Sequence, residues 1–523
     1  MADGITVDIL ITLKKQRMKT NKLYIGLFLL MAVMGCKKSE LEQSVPDQLT
    51  VDNFWINKDR ALSGLSAAYS QLEGFVSWDN YVEARSVREF YREDYIVPGA
   101  DAFNYPWWTE HYNFEFTSGN YAIDLLWREN YRGINFANQV LENVGRMSAA
   151  AIDEASKKQI LAEAKFLRAY YHFKVLTNFS KVIIRDKVPT SEADLSKGFS
   201  ERGEVYAFIL KDLLEAEPDL PLRSARPATE LGRITKGAAQ AYLGKINLYR
   251  VSDDQSNAAA HYTEAAKWLN KVILSNEYQL DNNFLGMFNG TTKNSTESIF
   301  ELQQSSDASS GAVYRSYLSD WVAASELGGY GEIYGTPGLL TEMLKEGKVA
   351  NGNYDARVYQ TMYFNDAYFN DPATPRVYGN TYNAVFGAGA KTIAFRKWIP
   401  AGPDRIGFSN AINVPLMRYA DVLLMYAEVL NEQQKPGDAV TWINKVRGRA
   451  GLPDVNLNNK ALIFDQIVHE RVMEFTLEGS RFYDLRRWGL LAQKMQAAGR
   501  KFTADKAFYP TPLKETTNNP LTP

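Results

Sequence analysis

Apolar side chains recur along most of this chain with the spacing of one helix face. In residues 58–72 they fall at Ala61, Leu62, Leu65, Ala68, Tyr69 and Leu72, which predicts an amphipathic helix with Asn57 as its N-cap. The same periodicity predicts a long helix pair over 121–146 and 155–179, the second carrying Ile160, Ala164, Leu167 and Tyr171 on one stripe. Helices over 203–216, 233–250 and 258–275 follow, and Pro218 and Pro221 break the chain after the first of them. In 418–431, Val422, Met425, Tyr426, Val429 and Leu430 mark positions i, i+3, i+4, i+7 and i+8. Lys435-Pro436-Gly437 then makes a turn, and in 438–450 Ala439, Ile443, Val446 and Ala450 face inward. A further helix spans about 460–478, with Gly479 as its C′ residue, and a short one follows at 481–491.

Helix–turn–helix pairs with alanines at contact points describe a mainly α fold of tetratricopeptide-like units, each about 34 residues long. The match to a regular repeat is weak, so the array is degenerate. The middle of the chain differs. Residues 277–414 hold 15 of the 35 glycines together with 11 tyrosines, and helical periodicity fades there. Glu297-Ser298-Ile299-Phe300-Glu301-Leu302-Gln303 alternates like a short strand. The segment reads as a loop-rich insertion containing short strands, carried by a helical frame at 49–276 and 415–500. Loops inserted on a rigid scaffold are where binding surfaces tend to sit.

The N-terminal region reads as an address. Met18-Lys19-Thr20-Asn21-Lys22 is followed by an apolar run of 11 residues, 23–33, and then by Met34-Gly35-Cys36. A basic stretch before so short a run is the layout of a signal peptide, since a bilayer span takes about 20 apolar residues. A small residue before cysteine at the end of the run is similar to the lipobox of bacterial lipoproteins, with Val33 and Met34 where Leu and a small residue are commoner. That likeness implies cleavage before Cys36, lipidation of Cys36 and stable anchoring through several acyl chains. A plain secretory signal with an incidental cysteine is the alternative. The complete signal places the expected start at Met18. Residues 1–35 are assigned to the signal, 36–48 to the lipidated cysteine and a polar tether, and 49–523 to a single domain.

Composition narrows the chemistry. Lys and Arg number 59 against 61 Asp and Glu, a net charge of −2 over 523 residues, which argues against a dedicated nucleic-acid binder. Cys36 is the single cysteine, and His111, His172, His261 and His469 are scattered without ligand spacing, so neither a disulfide nor a thiolate metal site is expected. The chain contains no HExxH, GxSxG, GxxxxGK[ST] or strand-to-helix GxGxxG motif. Gly328-Gly329-Tyr330-Gly331 lacks the flanking strand and helix of a phosphate loop and reads as a mobile loop. Asp281-Asn282-Asn283 offers oxygen ligands to Ca²⁺ without a full hand-type loop, and reads as a turn. No cofactor is implied. In the charge run from His469 to Trp488, Arg471 and Glu474 stand three apart and can pair on one helix face. That run reads as an ion network locking helices together rather than as an active site.

The most suggestive binding stretch runs from Asp101 through Phe103, Asn104, Tyr105, Pro106, Trp107, Trp108 and His111 to Tyr112. It places six aromatic rings, His111 included, around a proline in a loop. Flat rings with polar edges suit stacking on sugar faces or gripping peptides, and Asn104 and Asp101 can supply hydrogen bonds. The competing reading is that Trp107 and Trp108 plug the helical frame. Trp78, Trp321, Tyr330 and Tyr334 are further candidates.

Several stretches together resemble the SusD/RagB family of outer-membrane nutrient-binding lipoproteins. They are Phe54-Trp55 with the helix to Tyr69, the run from Trp127 through Tyr131 and Asn135 to Asn138, and Glu163…Arg168-Ala169-Tyr170-Tyr171. Further on they are Arg418…Asp421…Tyr426-Ala427-Glu428, Arg447-Gly448-Arg449, Glu470-Arg471…Glu474…Glu478-Gly479-Ser480-Arg481…Asp484-Leu485, and the closing Tyr509-Pro510-Thr511-Pro512. The likeness spans about 49–523. It implies a tetratricopeptide-like frame with loop-rich insertions in a lipid-anchored cell-surface protein. Such a protein lids a SusC-like TonB-dependent transporter and delivers a bound oligosaccharide or peptide without catalysis. The family's frame docks on the transporter, and ligand contacts come from variable loops, so the hallmark residues are structural. The resemblance and the aromatic stretch together give a ligand-binding set of Trp107, Trp108, Tyr105, Asn104, Asp101, Trp78, Trp321 and Tyr330. Two other readings stay open. A tethered glycan or peptide hydrolase would need a carboxylate pair across a cleft. A structural helical-repeat envelope lipoprotein would need no aromatic platform.

Overall fold

The apolar stripes close into helices where their spacing places them. The computed structural model of the chain describes residues 51–72, 89–305, 318–402 and 410–522. The expected signal, Cys36 and Trp78 lie outside these. The chain divides into two units, 1–55 and 56–523. The described part of the first includes one helical turn, Val51–Phe54. All that follows concerns the second.

Its frame is built from α1 (Lys58–Ser70), α2 (Pro106–Asn113), α3 (Tyr121–Arg146), α4 (Glu154–Asn178), α5 (Arg202–Ala216), α6 (Lys236–Asp253) and α7 (Ala258–Leu274). After the insertion, which includes α8 (Pro337–Met343), come α9 (Tyr419–Glu432), α10 (Pro436–Arg449), α11 (Lys460–Phe475), α12 (Arg481–Arg487) and α13 (Leu491–Ala497). Side-chain oxygens cap the starts. Asn57 Oδ1 accepts the Arg60 N–H at 3.0 Å, and Asp153 accepts that of Ser156 at 2.8 Å. Consecutive helices pack as pairs: α3 on α4, α4 on α5, α6 on α7, and α9 on α10. Small residues let them approach. A Cβ added at Gly133 of α3 would stand 2.5 Å from the Tyr171 ring of α4, and the Tyr171 hydroxyl donates to the Ala68 carbonyl of α1 at 2.7 Å.

Four elements differ from the periodicity. The helix expected at 233–250 is shifted three residues along, to Lys236–Asp253, because Thr235 caps its start. Pro436 opens α10 instead of making the turn, because a helix's first position needs no N–H. The reversal falls one step earlier, at Gln434 with φ 60°. α11 ends at Phe475, where Thr476 and left-handed Leu477 stop it before Gly479 is reached. The segment expected as one helix at 481–491 is two, α12 and the start of α13.

The insertion packs Phe284, Phe288, Phe369, Phe395 and Trp398 into a hydrophobic core that it shares with frame residues such as Phe90, Leu125 and Val472. It carries short strands. β2 (Ser298–Leu302) pairs antiparallel with β6 (Val414–Arg418). β3 (Ile333–Gly335), β4 (Met362–Tyr363) and β5 (Ala394–Phe395) join β1 (Ile96–Pro98) in a four-stranded sheet of order β1-β3-β5-β4. In that sheet Ile96 faces Gly335 and Pro98 faces Ile333. The insertion's sheet thus recruits a strand from more than 200 residues upstream.

The expected ion network is present, with different partners. Arg471 turns away from Glu474 and donates to Asp484 and Asp421, both at 2.7 Å. Glu474 accepts from Arg357 at 3.2 Å, Arg418 at 3.0 Å and Arg449 at 2.5 Å. Glu478 accepts from Arg418 at 2.7 Å and from Lys397 at 2.5 Å, and Glu297 accepts from Arg418. Burial alone would push the Glu474 carboxyl up, but the three guanidiniums hold it well below the usual carboxylate range. Arg357 and Lys397 belong to the insertion and Glu474 to the frame, so the network ties one to the other.

Candidate ligand-binding platform

Two chain segments build the candidate surface, and the β1–β3 pairing sets them side by side. On leaving β1, the Gly99 N–H donates to the Glu332 carbonyl at 2.8 Å. The backbones are so close that a Cβ at Gly99 would lie 1.7 Å from the Gly331 oxygen. Asp101–Asn104 then forms one 3-10 turn, held by the Asn104 amide donating to Asp101 Oδ1 at 2.8 Å.

Pro106 opens α2, so the aromatic stretch expected in a loop is a turn followed by a helix. The helix decides the fate of its two tryptophans. Successive helical residues point about 100° apart. Trp107 projects outward, 38% exposed, while Trp108 points inward, 8% exposed, with its ring 6.1 Å from that of Trp321. Asn120 fixes this geometry. Its Oδ1 caps α3 on the Ala122 and Ile123 N–H groups, and its amide donates to the Trp107 carbonyl at 3.1 Å and to Glu110 at 2.6 Å.

The second segment starts with the short helix Leu318–Val322 and the 3-10 turn Ser325–Leu327. The glycine cluster that follows is no loose loop. The N–H groups of Tyr330, Gly331 and Glu332 donate to the carbonyls of Asp320, Ala323 and Trp321 at 2.7, 2.8 and 3.0 Å. Gly328 adopts φ 91° and Gly331 φ 62°, and a Cβ at Gly329 would meet the Ala323 carbonyl at 2.2 Å. The cluster folds the chain back over its own helix and presents Tyr330 outward, 36% exposed.

The exposed rings are therefore Phe103 at 60%, Tyr105 at 37%, Trp107 and Tyr330. Tyr105 and Trp107 meet edge-to-face, with centroids 5.6 Å apart. Trp321 is half-buried, backed by Trp108. Tyr334 is half-buried too. Of the residues expected to bind, the fold brings Asp101, Asn104, Tyr105, Trp107, Trp321 and Tyr330 to one locality and sets Trp108 beneath them.

Sequence reasoning did not single out Glu332. It is buried at the seam, and its Oε2 has no hydrogen-bond partner among the described residues. Burial, with the charge of Asp101 adding, pushes its carboxyl up to about 8. Nothing in a lone Glu between a glycine turn and a strand signals this, because the burial comes from β1 and α2. Among the described residues, no group of three or more His, Cys, Asp or Glu side chains is placed to hold a metal ion. Asp281-Asn282-Asn283 is a turn in which Asp281 Oδ1 accepts the Asn283 N–H at 2.8 Å.

Two family models match the chain. One, described as the SusD family, covers residues 296–520. The other, described as starch-binding associating with outer membrane, covers residues 88–248. The chain belongs to the SusD/RagB family. A SusD-like protein of Bacteroides ovatus is 25% identical over 474 residues, 87% of this chain and 80% of the relative. In three dimensions the chain is similar to a SusD superfamily protein from Bacteroides vulgatus, with a TM-score of 0.78 and 25% identity. That match covers 90% of this chain and 99% of the other. It is also similar to a SusD-like carbohydrate binding protein from Bacteroides fragilis, with a TM-score of 0.74, 22% identity and coverage of 90% and 99%. The mainly α, tetratricopeptide-like architecture is the SusD fold.

Proposed function

We propose that this SusD-family chain is a surface-tethered binding protein. It captures an oligosaccharide on the face formed by Phe103, Tyr105, Trp107 and Tyr330. It then passes the ligand, chemically unchanged, to a SusC-like TonB-dependent transporter of the outer membrane. The observation that carries the reading is a set of exposed rings held on a rigid base. Asn120 holds the Trp107 carbonyl, Tyr105 meets the Trp107 ring edge-to-face, and Trp108 backs Trp321. The carbohydrate-binding description of one structural neighbour and the outer-membrane description of one family model support it. The lipobox-like Cys36 supports the tether.

Each ring that stacks on a sugar face contributes roughly 1 kcal/mol beyond its buried area. Asn104 and Asp101 lie beside the rings with polar edges for sugar hydroxyls. Micromolar affinity, about −8 kcal/mol, is enough for a ligand that is handed on at once. Opening and closing over a transporter would be biased by whatever difference in ligand affinity the two states have.

The test is a glycan and peptide array followed by calorimetry. Trp107→Ala is expected to weaken binding at least about tenfold and to leave the helical circular dichroism unchanged. Unaltered affinity would remove the platform. Binding to peptides alone would change the ligand class. Release of shortened glycans during incubation would replace capture with hydrolysis.

A further inference from the structure

The two segments that carry the rings have a one-sided charge. Residues 99–116 and 318–344 contain seven Asp and Glu and not one Lys or Arg. Some of these acids are engaged. Glu115 pairs with Lys501 at 3.1 Å, and Glu110 accepts from Asn120. Asp101 and Glu326 stand without an ion-pair partner among the described residues. Asp101 accepts only a neutral amide, that of Asn104. Glu326, exposed in the turn before Tyr330, accepts the Ser325 hydroxyl at 3.2 Å. Glu332, buried under the seam with its carboxyl pushed up to about 8, keeps its proton at neutral pH and adds no charge.

Elsewhere this chain pairs its carboxylates densely, as around Glu474, whereas among the described residues neither Asp101 nor Glu326 has a cation within ion-pair distance. The charges reach the ligand face. Burial raises the Tyr105 hydroxyl, and the negative charge of Asp101 raises it further. The faces of the exposed rings are themselves electron-rich and repel anions. Exposed carboxylates within a Debye length of a bound ligand, roughly 8–10 Å at ordinary ionic strength, act on its charge. Charge patterns of this kind decide which partner is refused more than how tightly the right one is held.

We propose that this platform selects against carboxylated and sulfated glycans and draws its ligand from neutral or amine-bearing oligosaccharides. The inference rests on the glycan-binding reading given above and adds the class of sugar.

The experiment uses the purified full chain on a glycan array spanning neutral, amine-bearing, uronate and sulfated oligosaccharides. It is followed by calorimetry on a matched pair, the tightest neutral or amine-bearing glycan and the same glycan oxidised at C6 to the uronate. The array is expected to give binders without acidic groups. Oxidation is expected to weaken binding at least about tenfold at low salt. That loss should shrink severalfold in 0.5 M NaCl, and again in the double variant Asp101→Asn, Glu326→Gln at low salt. A uronate or sulfated glycan as the tightest binder would overturn the inference and leave the glycan-binding reading standing. A loss on oxidation that neither salt nor the double variant reduces would also overturn it, because the C6 hydroxyl would then matter for shape and not for charge. Absence of any glycan binding would overturn the reading itself and the inference with it.

Discussion

Trp107 and Trp108 are neighbours in the chain with opposite environments, and a single helical step separates them. A residue-by-residue reading gives both the same standing, since Pro106 looks like loop punctuation. In the fold Pro106 is the first residue of α2, and rotation about the helix sends one ring to solvent and the other under Trp321. That Asp101 to Trp107 form a surface was legible from their composition. Which ring reaches solvent and which packs beneath was not, because it depends on the phase of the helix that Pro106 opens. Glu332 is the opposite case, a residue with no signal in the sequence and a distinct chemistry in the fold. Burial, with Asp101 adding, raises its folded carboxyl to about 8, against about 4.3 for an unfolded glutamic acid. A raised acid pKa means that the folded state keeps its proton more firmly. The stability this gives is complete below about pH 4 and declines as pH rises towards 8. Glu332→Gln should therefore change little at pH 4 and be the more stable protein at pH 8, by on the order of 2 kcal/mol. Urea denaturation of both proteins at the two pH values checks this, and an equal difference at both would contradict it.

At the scale of elements, the helices were legible and the strands mostly were not. The 3.6-residue stripes of α3, α4 and α9 run for several turns, and their positions follow from spacing alone to within a residue or so. Helix ends departed where a local conformation, such as left-handed Leu477, acts before the glycine that composition suggests. β2 alternates enough to be read. β1 and β3 are three residues each, too short for any period, and they are strands only through their neighbours in the sheet, β3 for β1, and β1 and β5 for β3. Their junction is the most exacting contact near the platform. Gly99→Ala would drive a methyl into the Gly331 carbonyl, 1.7 Å from where Cβ must stand. The expected result is more than about tenfold loss of ligand affinity, since the two ring-bearing segments must part, while far-ultraviolet circular dichroism keeps its helical signal. Unchanged affinity would show that the seam does not set the platform.

For the whole molecule, the ion network joins insertion and frame. The sequence announces its presence through the dense charge between His469 and Trp488. It cannot give the pairing, because the partners of Glu474 come from residues 357, 418 and 449, three places that meet only in the folded chain. The nearer Arg471 is claimed by Asp421 and Asp484. Removing one member of such a buried set leaves charges without compensation, at a cost of about 3–5 kcal/mol. Glu474→Gln should lose that much in equilibrium denaturation although it changes one oxygen for an amide. A loss below about 1 kcal/mol would mean that the neighbouring carboxylates already satisfy the three arginines. The β1–β3 seam has a consequence of a different kind. Its two strands are separated by most of the frame's first half and much of the insertion, and contacts so distant in sequence form slowly because a long loop must close first. A chain emerging into its compartment would carry every ring of the platform well before it had the surface. Competence to hold a ligand thus comes with the completed fold, and a half-finished molecule has nothing in place with which to intercept one.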